Sequence, residues 1–243
     1  MTVAQSIFLG LLQGLTEFLP VSSTAHLVAA QSWLRLQTIP VEFDVIVHLA
    51  TALATMLIFW PEIIKIKRRM IWFIVLAMIP TGVIGLWLNR WNELIFGSLI
   101  FSAVTLIING LILLLPQLIK ARKSNLNNQS ALIIGLAQGV AVLPGISRSG
   151  ATIVSGLLLG LKPADAYNFS FLISLPAILA AQGLQINKAA LTEAELMPGL
   201  AGFITAFIAG WLALLWLRRI VSRGRFTGFA VYCLVLGVLL LVL

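Results

Sequence analysis

Two short segments hold the residue types that could do chemistry: Gln13, Glu17, Ser22, Ser23, Thr24 and His26 around Pro20, and Ser147, Arg148, Ser149 and Thr152 around Pro144, Gly145 and Gly150. Each opens on Gln-Gly (Gln13-Gly14, Gln138-Gly139), runs through a short apolar stretch to a proline, and ends in hydroxyls with one strong polar group. Gln13 and Glu17 stand four apart and so share a helix face, where a carboxylate can hold a cation or move a proton. Ser23 and His26 at i,i+3 offer a nucleophile and a base on one helical face. One of Ser22, Ser23 and Thr24 is expected only to cap a helix. The stretch Gly145 to Gly150 reads as an anion cradle: glycines admit close backbone approach, N–H groups at a helix start attract phosphate, and the planar fork of Arg148 matches phosphate oxygens. The purely structural alternative is a Glu17–Arg148 salt bridge.

These groups lie in a chain of 243 residues that is 60% hydrophobic and 10% charged, with a mean hydropathy of +1.05. That composition excludes an ordinary soluble domain, and apolar runs of helix-spanning length predict a polytopic, all-α integral membrane protein. Period-two alternation, the mark of a transmembrane barrel, is lacking. Ionisable groups inside such a chain are functional candidates. The net charge of +8 is gathered in clusters (Lys65, Lys67, Arg68, Arg69; Lys120, Arg122, Lys123; Arg218, Arg219, Arg223, Arg225), as cytoplasmic loops require, so no nucleic-acid partner is expected. Cys233 is the single cysteine, which excludes an intrachain disulfide. The N-terminus lacks a basic leader region and is expected to be retained.

The elements that must position the polar segments are six transmembrane helices, at about 43–60, 70–88, 97–118, 167–186, 199–217 and 226–243, plus two re-entrant helical hairpins at about 4–35 and 130–162. With the basic clusters inside, Asn89 to Glu93 and Lys188 to Glu195 fall outside, and the two hairpins enter from opposite sides. The single membrane domain, 1–243, therefore reads as inverted-topology repeats, approximately 1–118 and 130–243, each opening with a hairpin. Such repeats place a polar site near the midplane where the tips meet, which would bring Glu17, Ser23 and His26 against Ser147, Arg148 and Ser149. His48 and Asp44 lie in the outer half of the first span, where His48 reads as a hydrogen-bonded core residue rather than a catalytic one.

Gln13 through Glu17, Pro20-Val-Ser-Ser-Thr-Ala-His26 and Pro144-Gly-Ile-Ser-Arg-Ser-Gly-Ala-Thr152 resemble, in order, the motifs of the undecaprenyl-pyrophosphate phosphatases of the bacitracin-resistance type. The resemblance covers essentially the whole chain. It implies hydrolysis of undecaprenyl pyrophosphate to the monophosphate, which recycles a lipid carrier for peptidoglycan synthesis. It also implies a divalent cation (Mg²⁺ or Ca²⁺), the bacterial inner membrane with the active site facing the periplasm, surrounding membrane lipids and a homodimer. Carried over by position, its catalytic residues fall on Glu17, Ser23, His26 and Arg148, its metal site on Glu17 and Gln13, and its pyrophosphate contacts on Ser22, Thr24, Gly145, Ser147, Arg148, Ser149, Gly150 and Thr152. Position 13 is Gln where many members carry Glu, which removes one negative charge.

On this reading Arg148 and the amides clamp the pyrophosphate while Ser23, activated by His26, attacks the terminal phosphorus. The sequence leaves open His26 as the attacking group, or as base for a direct water attack. The rival class is a lipid-phosphate or anion transporter, because inverted repeats with broken helices are also transporter architecture.

Overall fold

Helix-forming apolar runs interrupted by Pro, Gly and charged residues set the element order. A computed structural model of the chain describes residues 1–36, 40–91, 98–118, 124–185 and 193–242. The helices are α1 (Val3–Phe18), α2 (Ser23–Trp33), α3 (Val41–Ile58), α4 (Trp60–Ile64), α5 (Arg68–Leu88), α6 (Leu99–Leu118), α7 (Asn128–Val140), α8 (Arg148–Leu158), α9 (Pro163–Gln185), α10 (Glu193–Ser222) and α11 (Thr227–Val242). No strand occurs among the described residues. The protein is an all-α integral membrane protein.

Five helices, α3, α5, α6, α9 and α10, are long and apolar enough to cross a membrane. The sixth expected span corresponds to α11, an apolar helix of 16 residues, about 24 Å long at 1.5 Å per residue. The two segments expected as hairpins are broken helices, α1 with α2 and α7 with α8, and within each pair the arms pack on one another. The first basic cluster sits at the start of α5 and the third at the end of α10. The second, Lys120 to Lys123, lies outside the described residues, as do 92–93 and 188–192 of the stretches placed on the opposite side.

Packing partners exchange between the two parts of the chain. The broken-helix arm α1 packs along α10, and its counterpart α7 packs along α5; α3 packs on α10 and α9 on α5; α3 meets α9, and α6 meets α11. The close crossings use small residues four apart, a device of membrane helix packing. A Cβ at Gly10 or Gly14 would collide with the backbone of Gly202 and Ala206, and one at Gly135 or Gly139 with α5 at Ala77 and Ile84. A buried aromatic group then fixes the end of α1: Phe18 meets Phe171 at 5.8 Å between ring centroids, and Phe59 and Tyr167 pack on the same Phe171 ring.

Candidate active site

The two breaks are where the site forms. Proline cannot continue a helix and restricts the residue before it, so α1 stops at Phe18 and Leu19 is extended ahead of Pro20. Ser22 then takes φ +65, a left-handed backbone uncommon for a non-glycine residue and typical of functional turns. On the other tip Gly145 takes φ +97, and a Cβ there would strike Ser102 and Thr105 of α6.

Backbone groups released by the breaks find partners across the gap, as burial demands. The N–H of Gly145 donates to Ser22 Oγ at 3.1 Å. Ser149 Oγ donates to the carbonyl of Phe18 at 2.7 Å, and Ser147 Oγ to that of Leu19 at 3.4 Å. Asn109 of α6 clamps both tips: Nδ2 donates to the Pro20 carbonyl at 2.9 Å, and Oδ1 accepts the Ser147 N–H at 2.9 Å. Thr105 donates to the Pro144 carbonyl. The tips that sequence reasoning brought together therefore do meet.

Glu17 is the hub. Its side chain is 4% exposed and each oxygen is engaged. Oε1 accepts from Arg148 Nη2, while Oε2 accepts from Ser23 Oγ at 2.8 Å and from Gln13 Nε2 at 3.1 Å. Arg148 is the first residue of α8 and Ser23 the first of α2, so two helix N-termini with their partial positive charge converge beside the carboxylate. Arg148 remains partly open, its side chain 21% exposed.

Several expectations need correction. Ser23 and His26 do not pair: Ser23 turns back to Glu17, and both His26 nitrogens are taken elsewhere. His26 Nδ1 donates to the Ser22 carbonyl at 2.7 Å, which can only accept, so in the neutral ring Nε2 receives the hydroxyl of Tyr232, also at 2.7 Å. The rings of His26 and Tyr232 are stacked. The cradle of Gly145 to Gly150 amides is largely spent on the protein itself. Gly145 and Ser147 donate across the tips, and Gly150 donates to the capping hydroxyl of Ser147 at 3.1 Å. The hydroxyls of Ser147 and Ser149 tie the tips together, and that of Thr152 bonds the Arg148 carbonyl and Ser170. By contrast α2 has no side-chain cap, because Ser22 spends its hydroxyl on Gly145, and this leaves the first-turn N–H groups of α2, at Ser23, Thr24 and Ala25, without a side-chain acceptor. Thr24, at that N-terminus, is half-buried.

Asn109, Tyr232 and His48 were missed as site residues. A lone Asn within the apolar run of α6 was the available signal for Asn109. His48 Nε2 lies 3.9 Å from Glu17 Oε2.

The donor set suits a hard cation. Among the described residues no group of three His, Cys, Asp or Glu side chains could hold a metal, but Gln13 Oε1 is buried without a hydrogen-bond partner, beside the Glu17 carboxylate. Carboxylate and amide oxygens are the ligands Mg²⁺ and Ca²⁺ take, completed by phosphate oxygens of a substrate.

Residues 6–239 match the family described as "Bacitracin resistance protein BacA". The chain is 40% identical to an undecaprenyl-diphosphatase of Carboxydothermus hydrogenoformans, over 98% of this chain and 96% of the relative. It is 37% identical to one of Halothermothrix orenii, over 100% and 98% respectively. With one of Methanobrevibacter smithii it shares 35% identity, over 98% and 96%.

Proposed function

The chain belongs to the bacitracin resistance protein BacA family, and from that premise we propose that it is an undecaprenyl-diphosphatase, acting at the site built on Glu17, Ser23 and Arg148. It hydrolyses undecaprenyl pyrophosphate to undecaprenyl phosphate and inorganic phosphate, which returns the lipid carrier to cell-wall synthesis. The three relatives named above are all hydrolases by name, and the transporter alternative is not retained. The site works at the cytoplasmic membrane and opens to its outer face.

The observation that carries the mechanism is the Ser23 Oγ to Glu17 Oε2 hydrogen bond. It supports Glu17, in place of His26, as the base. Ser23 Oγ passes its proton to Glu17 and attacks the terminal phosphorus; the bond from that phosphorus to the bridging oxygen breaks, and undecaprenyl phosphate leaves. Water then hydrolyses the serine phosphate ester and releases inorganic phosphate. Phosphoryl transfer depends chiefly on positioning and on charge aimed at the equatorial oxygens. Arg148, with its bidentate fork, and the uncapped N-terminus of α2 fit that task. A divalent cation held by Glu17 and Gln13 Oε1 would neutralise phosphate charge when bound.

The test is phosphate release from a polyprenyl pyrophosphate by detergent-solubilised protein, with and without a chelator. Release that the chelator suppresses is the expected result, and transport alone would give none in a system without compartments. A purified, folded protein that liberates no phosphate would refute the reading.

A further inference from the structure

Away from the catalytic tips, a cavity of about 90 Å³ opens between the start of α9 and the end of α10. Ala164, Tyr167 and Asn168 line it from α9, and Arg218 and Ser222 from α10. No acidic side chain belongs to its lining, so its one formal charge is the Arg218 guanidinium. Neither that guanidinium nor the Asn168 side chain makes a hydrogen bond or ion pair with a described residue. The Tyr167 hydroxyl donates to the Leu214 carbonyl at 3.0 Å, and that of Ser222 to the Arg219 carbonyl at 2.8 Å. The side-chain donors left for a ligand are therefore those of Arg218 and Asn168. Asp165, in the first turn of α9, is exposed and stands outside the lining. The space admits a group several waters in size, such as a phosphate.

The place of the cavity in the fold says what would bring that phosphate. Tyr167 packs on Phe59 at 5.6 Å between ring centroids, so the ends of α3 and α10 and the start of α9 share one face of the protein. On that face Lys65, Lys67, Arg68 and Arg69 follow α4, and Arg219, Arg223 and Arg225 follow Arg218. Basic pockets between membrane helices attract anionic headgroups. Trp216, exposed two residues before Arg218, is a ring suited to headgroup depth. Leu215 and Ile208 are exposed on the adjoining side of α10 and extend from Arg218 an apolar track that acyl chains can follow. We propose that this cavity binds the phosphate of an anionic phospholipid, with Arg218 and Asn168 as its donors. The site is separate from the hydrolytic one and does not depend on the reading given to that. Basic residues that only fix topology need no more than a helix end; they gain nothing from a walled cavity that sets an unpartnered amide beside the guanidinium.

The test uses the full-length protein, stripped of lipid in a neutral detergent, with phosphatidylglycerol, phosphatidylcholine and inorganic phosphate as probes and native mass spectrometry as the readout. Phosphatidylglycerol should bind saturably, and its Kd should rise by at least about tenfold in Arg218→Gln. Arg223→Gln removes an equal charge from the same cluster, outside the cavity, and should change the Kd far less. Phosphatidylcholine, whose headgroup carries no net charge, should bind at least about tenfold more weakly than phosphatidylglycerol. Equal rises in the two variants would reduce the effect to the charge of the cluster and overturn the proposal. So would equal affinity for the two lipids, or inorganic phosphate displacing the lipid at matching concentration, which would make this a site for a soluble anion. Should Arg218→Gln fail to fold, Asn168→Leu takes its place, with a rise of about threefold expected and no rise overturning the assignment.

Discussion

Arg148 Nη2 donates to Glu17 Oε1 across 131 positions of sequence, and the bond joins the first residue of one broken-helix arm to the last turn of another. The pair stores the two charges that the reaction needs in mutually compensated form, with the remaining guanidinium donors left for phosphate. Predictions follow from which group each change leaves alone.

Arg148→Ala removes both the phosphate clamp and the counter-ion of Glu17. Phosphate release should fall by at least about a hundredfold, the scale of losing one preorganised donor to a developing anion. Arg148→Lys keeps the charge without the fork and should recover little of it. Turnover of purified variants against polyprenyl pyrophosphate decides both; near-normal rates for Arg148→Lys would show that planarity is unimportant.

Ser23 and His26 should separate in their effects. Ser23→Ala should abolish turnover, and acid-quenched wild type given labelled substrate should carry phosphate on Ser23. Tyr232→Phe takes the hydroxyl from His26 Nε2, so its loss should be smaller than that of Ser23→Ala. It should also not add to the loss in His26→Ala, since partners in one hydrogen bond act as a unit. Additive losses would mean that His26 acts away from Tyr232.

Gln13→Glu places a second carboxylate beside Glu17 where an amide oxygen now stands unpartnered. Charge count tunes the affinity of oxygen-ligand sites, so the Mg²⁺ concentration for half-maximal activity should drop by about tenfold. A cation titration of the two proteins measures this, and an unchanged midpoint would place the cation elsewhere.

Asn109→Leu strands two buried backbone groups, the Pro20 carbonyl and the Ser147 N–H. At about 1–3 kcal/mol for each buried group left unsatisfied, thermal unfolding in detergent should begin at clearly lower temperature. Activity should fall with it, because both tips lose their common anchor. An Asn109→Leu protein as stable as wild type would mean that the tips hold without α6.

Composition and apolar run length were enough to read an all-α membrane protein and the five long apolar helices among the six expected spans, and Pro20 and Pro144 among hydroxyls marked both breaks. What failed was local geometry. Ser23 and His26 do share α2 at i,i+3, but Ser23, its first residue behind the positive-φ turn at Ser22, gives its hydroxyl to Glu17 of α1 instead. Nothing in a serine's identity announces that backbone angle. The second tip promised free amides, yet that of Gly145 goes to Ser22 and that of Ser147 to Asn109, both distant in the chain, and that of Gly150 to the Ser147 hydroxyl of the same tip. Tyr232 meets His26 across 206 positions, a contact that no periodicity encodes. His48 looked like core because one nitrogen does serve its own helix, at the Asp44 carbonyl; the other could be placed only once α1 was seen beside α3.

The Gly10/Gly14 and Gly135/Gly139 crossings seat the two arms alike, but what the arms carry is unequal: the acid belongs to the stretch before α7 and the guanidinium to the stretch after it. Neither portion alone is even a weak enzyme by this logic. A polypeptide severed between α6 and α7 would yield two inert fragments, and turnover would reappear only on co-assembly, a complementation experiment in which the catalyst is the seam itself.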